Sequence, residues 1–263
     1  MSNYWYRQSD KPLFPELEWN KPERRDQAGR LMIIGGNLHN LSALATAFEV
    51  TKKTGIGSIK LVLPDKTKRL VGSTLPEALF LLSTATGEFS HQNEGELLEH
   101  VIWADGLLLP GDNGRNSQTT ILFEDLLQNY QGLAVVTRDA VDSLSNNSAA
   151  LLDRADTTLV ISFAQLQKLS RNYGESEALL FSMDLVQLTT FLHQFTQKTK
   201  ASVVTIHQNQ LVVAVNGVIS TTKLQPPREK QWRTRYASLA ACYQTWNPHK
   251  SFEALTQAAY LLE

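Results

Sequence analysis

Two glycine-containing turns hold the residues of this sequence that could bind an anion. Gly35-Gly36-Asn37 follows the apolar run at 31–34, and Pro-Gly-Asp-Asn-Gly at 110–114 follows the apolar run at 106–109. Turns of this kind expose backbone amides, and a helix that begins after the turn directs the positive end of its dipole at a negatively charged group. The first turn therefore predicts a site for a phosphate or a dinucleotide.

Several polar side chains belong to the same predicted strand ends. Asp112 lies in the second turn and Asp139 follows the next apolar run, so both are candidates for polar contacts with a ligand. His39 and His207 could converge on Asp139 as acid–base groups. A histidine in such a position is more often a loop or packing residue, and the sequence leaves both interpretations open.

The elements that would position these residues alternate between strands and helices. Strands are predicted at 31–34, 59–63, 106–109, 133–137 and 157–161, with a hairpin at 203–206 and 211–215. Helices are predicted at 41–54, 94–103, 118–130, 139–144, 147–154, 163–170, 177–198, 231–245 and 250–262. This alternation predicts a doubly wound α/β layer sandwich with a mostly parallel sheet.

Residues 1–28 differ from the rest of the chain. They contain three prolines and five aromatic residues without a sustained period. Because disordered tails are usually poor in aromatics, we expect an extended N-terminal arm that docks on its own domain or on another subunit. Residues 29–263 are predicted to form a single domain, in which the apolar run at 76–82 is buried.

Composition narrows the class of partner. The formal net charge is −1, which gives no overall electrostatic footprint for nucleic acid or an anionic membrane, so a small molecule or a protein is the expected partner. A local basic cluster could hold an anion, stack on nucleic acid or simply be solvated. It consists of Arg228, Lys230, Arg233 and Arg235 beside Trp232.

The cysteine and hydropathy patterns add further expectations. The single cysteine, Cys242, lies on an apolar helix face and is predicted to be a core residue. No Cys/His cluster has zinc-ligand spacing, so no metal site is expected. Since no 18 apolar residues run together and no basic leader precedes an apolar core, we expect no membrane partner and a cytoplasmic location.

Five short motifs occur in a fixed order along the chain. They are Ile-Gly-Gly-Asn at 34–37, Gly-Ile-Gly at 55–57, Pro-Glu-Ala-Leu at 76–79, Ala-Asp-Gly at 104–106 and Thr-Arg-Asp-Ala-Val at 137–141. Their order and spacing, over about residues 25–263, resemble the NAD(P)H-hydrate dehydratases of the ribokinase-like superfamily. The resemblance implies a three-layer α/β/α sandwich, a homo-oligomer and repair of hydrated nicotinamide cofactors. In that chemistry ATP or ADP phosphorylates the hydrate hydroxyl, and the phosphate is then eliminated.

The resemblance also implies roles for particular residues. Substrate-binding positions would be Gly35, Gly36, Asn37, His39, Asp112, Asn113 and Asp139, and nucleotide- or anion-binding positions would be Gly111, Gly114, His207 and Arg233. ATP or ADP is the implied cofactor. Asp139 matches the second of two aspartates that the family has after this strand, whereas the first position is occupied by Thr137.

The chain departs from the family at the position of the catalytic base. The family has Gly-x-Gly-Asp at the N-terminus of the penultimate helix, where glycine amides bind the anion and the aspartate is the base. Gln-Trp-Arg-Thr at 231–234 stands there instead, so that Thr234 replaces the aspartate. Loss of a general base costs on the order of 100- to 10,000-fold in rate. Trp232 and Arg233 would also obstruct the nucleotide where glycines approach it.

Two hypotheses from different classes follow. The preserved order of elements supports an active ADP- or ATP-dependent dehydratase, or a small-metabolite kinase, that uses residues other than the family's. The lost motif supports a catalytically impaired protein that binds a nucleotide-like ligand at most and whose surface serves interaction. The sequence favours the second hypothesis and assigns no residue to catalysis.

Overall fold

The centre of the molecule is a ten-stranded sheet, formed within residues 4–72, 78–225 and 231–262, which are the residues that the computed structural model describes. The strands are β1 (Trp5–Gln8), β2 (Arg30–Ile34), β3 (Ser58–Pro64), β4 (Ala78–Leu81), β5 (Gly106–Leu109), β6 (Leu133–Thr137), β7 (Thr157–Val160), β8 (Ser202–His207), β9 (Gln210–Val215) and β10 (Val218–Lys223). Their order across the sheet is β1-β10-β9-β8-β7-β6-β5-β2-β3-β4. Only β9 runs antiparallel to its described neighbours, which confirms the mostly parallel sheet.

Helices cover both faces of this sheet. They are α1 (Ser42–Thr54), α2 (Lys68–Val71), α3 (Glu94–Val101), α4 (Ser117–Asn129), α5 (Asp139–Leu144), α6 (Ser148–Leu152), α7 (Phe163–Tyr173), α8 (Leu185–Lys198), α9 (Trp232–Trp246) and α10 (Ser251–Tyr260). Apolar residues of α1, α9 and α10 pack on one face, and those of α3 to α8 pack on the other. The predicted three-layer α/β/α sandwich is confirmed. None of the described helices is long and apolar enough to cross a lipid bilayer.

Burial on both faces explains the character of the central strands. Residues 107–109 of β5 are all 0% exposed, and residues 31–34 of β2 are equally buried. A parallel strand between two helical layers has no solvent side, so its sequence is a continuous apolar run. These runs were therefore the strands that the sequence predicted most directly.

Two strands at one edge of the sheet were not predicted. The Asn216-Gly217 turn, with φ of 47° and 80°, joins β9 to β10, as expected of a two-residue hairpin. β1 comes from the N-terminal segment and pairs in parallel with β10, where Gln8 Nε2 donates a hydrogen bond to Thr222 Oγ1 at 3.0 Å. Each strand has only two apolar or aromatic residues, at its start, and polar residues after them, so neither forms an apolar run. The division into an arm and a domain stays a prediction.

Two other predictions about elements were wrong. The helix expected at 177–198 begins at Leu185, because Asp184 and Gln187 form a capping box in which each side chain accepts the other's amide, at 2.8 and 2.9 Å. The run at 76–82 is not fully buried, since β4 is the edge strand and Leu82 is 52% exposed. The first two residues of that run lie outside the described residues.

Leu17 provides a test of how the N-terminal segment is held. Its side chain is 0% exposed and packs with Tyr243 and Ala254. Leu17→Ala is expected to lower the free energy of unfolding by about 2–5 kcal/mol, because it leaves a cavity. Trp19→Ala is the matched control, since Trp19 is 89% exposed, and it should change that free energy by less than about 0.5 kcal/mol. Urea unfolding measures both, and equal effects would contradict docking of this segment.

Candidate functional site

The first glycine turn lies between β2 and α1 and is closed by hydrogen bonds within the protein. Asn37 Oδ1 accepts from the amides of His39 at 2.8 Å and Asn40 at 3.1 Å, and its Nδ2 donates to the carbonyl oxygen of Asp112 at 2.7 Å. Gly36, with φ of 81°, donates its amide to the carbonyl oxygen of Gly111 at 3.2 Å. The two predicted turns therefore lie against each other.

Close backbone approach explains the glycines at this contact. A Cβ atom on Gly35 would lie 2.9 Å from the carbonyl oxygen of Gly111. A Cβ atom on Gly111, whose φ is 104°, would lie 2.5 Å from Asp139 Oδ1. Any larger residue would push the turns apart, so the fold requires these two glycines whether or not a ligand binds.

The anion that faces the N-terminus of α1 is the carboxylate of Asp112. Its Oδ2 accepts hydrogen bonds from the amide of Ala43 at 2.7 Å and from the hydroxyl of Ser42 at 3.1 Å. Its Oδ1 accepts from Arg138 Nη2 at 2.8 Å, and Asp112 is 5% exposed. The sequence predicted an anion at this helix end, and the structure shows that the protein supplies one itself.

Asp139 holds the second turn in place. Its two oxygens accept the amides of Asp112 at 2.7 Å and Asn113 at 2.8 Å. Asn113 is fully buried, and neither polar atom of its side chain has a hydrogen-bond partner among the described residues. Arg138 Nε is likewise buried without a partner among the described residues. Because buried polar groups are normally hydrogen-bonded, these atoms are the unsatisfied polar groups of the cluster.

A series of side chains connects Asp112 with the start of α9. Arg138, which bonds Asp112, accepts at its carbonyl oxygen a hydrogen bond from Gln165 Nε2 at 2.7 Å. Gln165 Oε1 in turn accepts from Arg233 Nη1 at 2.8 Å. Burial lowers the pKa of the Arg233 guanidinium, and the positive charge of Arg138 lowers it further, while two nearby aspartates oppose both effects. The two arginines are thus close enough to repel each other and depend on neighbouring carboxylates for compensation.

The start of α9 is occupied by side chains that bond other parts of the protein. The side-chain oxygen of Gln231 accepts a hydrogen bond from the hydroxyl of Thr46 on α1. Thr234 is 0% exposed, and its hydroxyl has no partner among the described residues. Where the resemblance implies glycine amides and a carboxylate, this structure has Gln231, Arg233 and a buried hydroxyl.

The other predicted site residues do not join the cluster through their side-chain contacts. His39 is exposed, and its backbone amide bonds Asn37. His207 is 4% exposed; its Nε2 donates to the carbonyl oxygen of Met183 at 2.7 Å, and its ring stacks on Phe163 with centroids 4.9 Å apart. Gly114, with φ of 79°, lies against the side chain of Glu88. Binding roles for these residues stay predictions.

Sequence reasoning missed four residues whose side chains belong to the connected cluster, namely Ser42, Thr46, Arg138 and Gln165. The pattern Ser-x-x-Gln at 162–165 indicates a capping box, and the structure has one, with Ser162 Oγ accepting the amide of Gln165 at 3.2 Å. The pattern could not show that the same glutamine also reaches Arg138 and Arg233. In the predicted basic cluster, Arg228 and Lys230 lie outside the described residues.

Comparison with solved structures decides the fold. A ribokinase-like superfamily protein from Enterococcus faecalis superposes with a TM-score of 0.76 and 16% identity, over 100% of this chain and 87% of that one. The chain has a ribokinase-like fold. An ADP/ATP-dependent NAD(P)H-hydrate dehydratase from Bacillus subtilis, co-crystallised with ATP and Mg²⁺, superposes with a TM-score of 0.61 and 12% identity, over 95% of this chain and 87% of that one. Identities this low establish the fold alone.

Sequence comparison gives a partial match. The bifunctional NAD(P)H-hydrate repair enzyme Nnr of Dictyoglomus turgidum is 25% identical over 125 residues, which are 46% of this chain and 24% of that enzyme. The match therefore spans about a quarter of the relative's length. No protein-family model matches the sequence. Together with the solved structures, this match confirms the predicted resemblance to ribokinase-like proteins and NAD(P)H-hydrate dehydratases.

The position of Cys242 makes its reactivity predictable. The residue is 0% exposed on α9, as predicted for a core cysteine, and burial raises the pKa of its thiol. Since the thiolate is the reactive form, the native protein should not react with Ellman's reagent and should react stoichiometrically once denatured. Absorbance of the released thiolate measures both states, and rapid labelling of the native protein would refute the burial.

The hydrogen bonds that Asp139 accepts predict that it stabilises the second turn, and a variant that only removes a surface charge should not have this effect. Asp139→Ala leaves the amides of Asp112 and Asn113 without their acceptor, which should cost roughly 1–3 kcal/mol of unfolding free energy for each amide. Glu99→Ala removes an exposed carboxylate from α3 and should change stability by less than about 0.5 kcal/mol. Urea unfolding compares the two variants. Equal stability of both would show that Asp139 does not hold the turn.

Proposed function

We propose that this chain is an NAD(P)H-hydrate dehydratase-like protein that has lost the family's phosphoryl-transfer step and binds a nucleotide-like ligand at most. The proposal rests on the fold, on the partial sequence match and above all on the start of α9. There the contacts of Arg233 with Gln165 and of Gln231 with Thr46 occupy the region where the resemblance implies a glycine anion hole.

Chemistry at this helix start supports the proposal. A general base must accept a proton from the substrate hydroxyl, and a buried threonine hydroxyl such as Thr234 is not basic enough to do so. An anion hole needs free amides directed at the phosphate, and arginine and glutamine side chains add bulk where only hydrogen atoms would fit. The two losses affect one unit of the site, so their effects on rate would not simply add.

The residues present do not fit ATP in the manner that the family resemblance implies. The positive end of α1 already faces the Asp112 carboxylate, and Arg233 donates to Gln165. The Ala43 amide would have to give up its bond to Asp112 in order to bind a phosphate, and one Nη1 donor of Arg233 is already used by Gln165. We therefore assign no reaction step to a nucleotide in this chain.

The alternative is an active enzyme that uses residues outside the family's motif. One observation favours it: the buried Asn113 side chain has no hydrogen-bond partner among the described residues, beside glycine turns that match the family's. Because Asn113 is 0% exposed, a ligand amide or hydroxyl would satisfy that side chain only after the two turns move apart. A dehydratase assay separates this alternative from the proposal.

Turnover of NADPH hydrate is the deciding measurement. With ATP or ADP present, the wild-type chain is expected to give no turnover above the uncatalysed rate. Turnover that Asp139→Ala abolishes and Thr234→Ala leaves intact would overturn the proposal and establish the alternative. Circular dichroism of each variant distinguishes loss of activity from loss of structure.

Thermal shift with ATP, ADP, NADP⁺ and NADPH tests whether the side chain of Arg233 obstructs the site. A ligand at 100 times its dissociation constant stabilises the native state by about 2.7 kcal/mol. Arg233→Gly should increase the shift that ADP produces, because it frees the start of α9, whereas Arg235→Gly, the exposed control on the same helix, should not. An equal response of the two variants would contradict the obstruction.

The sequence and the resemblance also suggest an oligomeric state and a cellular location. We propose that the chain forms a homo-oligomer and works in the cytoplasm. Sedimentation of the purified chain tests the first. If the chain sediments only as a monomer, the proposed homo-oligomer is wrong, and the assignment of the site is unaffected.

A further inference from the structure

A histidine and two carboxylates meet on the face of the sheet that α3 and α4 cover, away from the glycine turns. His91 Nε2 lies 2.9 Å from Asp125 Oδ2 and 3.7 Å from Glu94 Oε2. One possible ligand atom from each residue lies within 4.8 Å of the other two. Within the described residues, no other set of three His, Cys, Asp or Glu side chains meets in this way. The proposed loss of phosphoryl transfer gives these three residues no role.

Hydrogen bonds fix the turn that presents His91. Ser90 Oγ donates to Gln118 Oε1 on α4 at 3.0 Å, which attaches the turn to that helix. Asn93, 1% exposed, accepts the amide of Leu82 at 2.8 Å and donates to the carbonyl oxygens of Leu82 at 2.8 Å and Ser90 at 2.7 Å. The backbone on both sides of His91 is therefore held by buried or bonded groups.

The two remaining ligands come from the helices on either side of this turn. Glu94 is the first residue of α3, one turn after His91. Asp125 lies on α4 two turns after Gln118, and therefore on the same side of the helix as the residue that holds the turn. Rigid elements thus bring the three side chains together, which preorganised metal sites require.

The spacing and the chemistry of these atoms suit a transition-metal ion. Bonds of about 2.0–2.2 Å from zinc to imidazole nitrogen and carboxylate oxygen place neighbouring ligand atoms roughly 3–3.5 Å apart. The separations of 2.9 and 3.7 Å bracket that value. Two carboxylates beside one imidazole also form a negatively charged set, which a divalent cation neutralises more fully than a single imidazole proton does.

We propose that His91, Glu94 and Asp125 bind one divalent transition-metal ion, with zinc as the ion to test. The side chains are 42%, 42% and 29% exposed, so solvent reaches the site and water completes the coordination. Bound metal would link the start of α3 to α4. No metal site was expected here because no Cys/His cluster has zinc-ligand spacing in the sequence, and two of these three ligands are carboxylates.

Isothermal titration of the full chain with zinc chloride, after treatment with a chelator, tests this site. One ion per chain is expected, together with a rise in melting temperature. Removal of an outer-shell partner typically weakens metal binding by roughly 10- to 100-fold, so loss of a ligand in His91→Ala, Glu94→Gln or Asp125→Asn should weaken it by at least about tenfold.

Matched controls remove the same types of group elsewhere. His249→Ala deletes an exposed histidine, and Glu96→Gln neutralises an exposed carboxylate on α3; each should leave the zinc affinity within about twofold. The metal-free melting temperature of each variant shows whether it folds. The proposal is overturned if the wild-type chain releases no heat of binding, or if His91→Ala binds zinc as tightly as the wild type. In those cases the three residues form an ordinary surface ion pair.

Discussion

The buried carboxylate of Asp112 is the interaction on which this region of the molecule depends. A carboxylate that is 5% exposed is costly unless charged or polar groups compensate it, and here the amide of Ala43, the hydroxyl of Ser42 and the Arg138 guanidinium do so. The positive end of the α1 dipole adds to that compensation. Because Asp112 joins α1 and the residue before α5, three neighbouring parallel strands, β2, β5 and β6, are connected at their carboxyl ends.

The same bonds limit what the site can do. In an α/β sheet the carboxyl ends of the strands are where ligands usually bind, and free helix N-termini supply part of their affinity. In this chain the N-terminus of α1 already has an internal anion. A phosphate would have to displace Asp112, leaving that carboxylate buried without its partners, which is far less favourable than binding at an open helix end. Stability of the cluster and affinity for a phosphate therefore compete for the same groups.

The fold tolerates such changes because its stability and its chemistry come from different residues. Apolar faces of α1, α9 and α10 pack on one side of the sheet, and those of α3 to α8 pack on the other. This packing does not depend on which polar residues or glycines stand at the start of α9. That separation accounts for a superposition with a TM-score of 0.76 at only 16% identity. It also leaves exposed side chains on the outer helices free for other roles, such as the metal site proposed at His91.

The sequence alone determined the layered architecture, the central strands and the two glycine turns, because strands buried on both faces are continuous apolar runs and glycine turns are local signals. It also shows Gln-Trp-Arg-Thr at 231–234, where the resemblance implies a glycine motif and an aspartate. It missed β1 and β10, whose short apolar starts and polar ends give no local strand signal, and which form strands through their pairing with each other and with β9. Tertiary structure alone decided which anion faces α1, since the bond from Asp112 to Ala43 joins residues far apart in the chain. The contacts from Gln165 to Arg233 and from His91 to Asp125 depend in the same way on how helices pack, which no local pattern encodes.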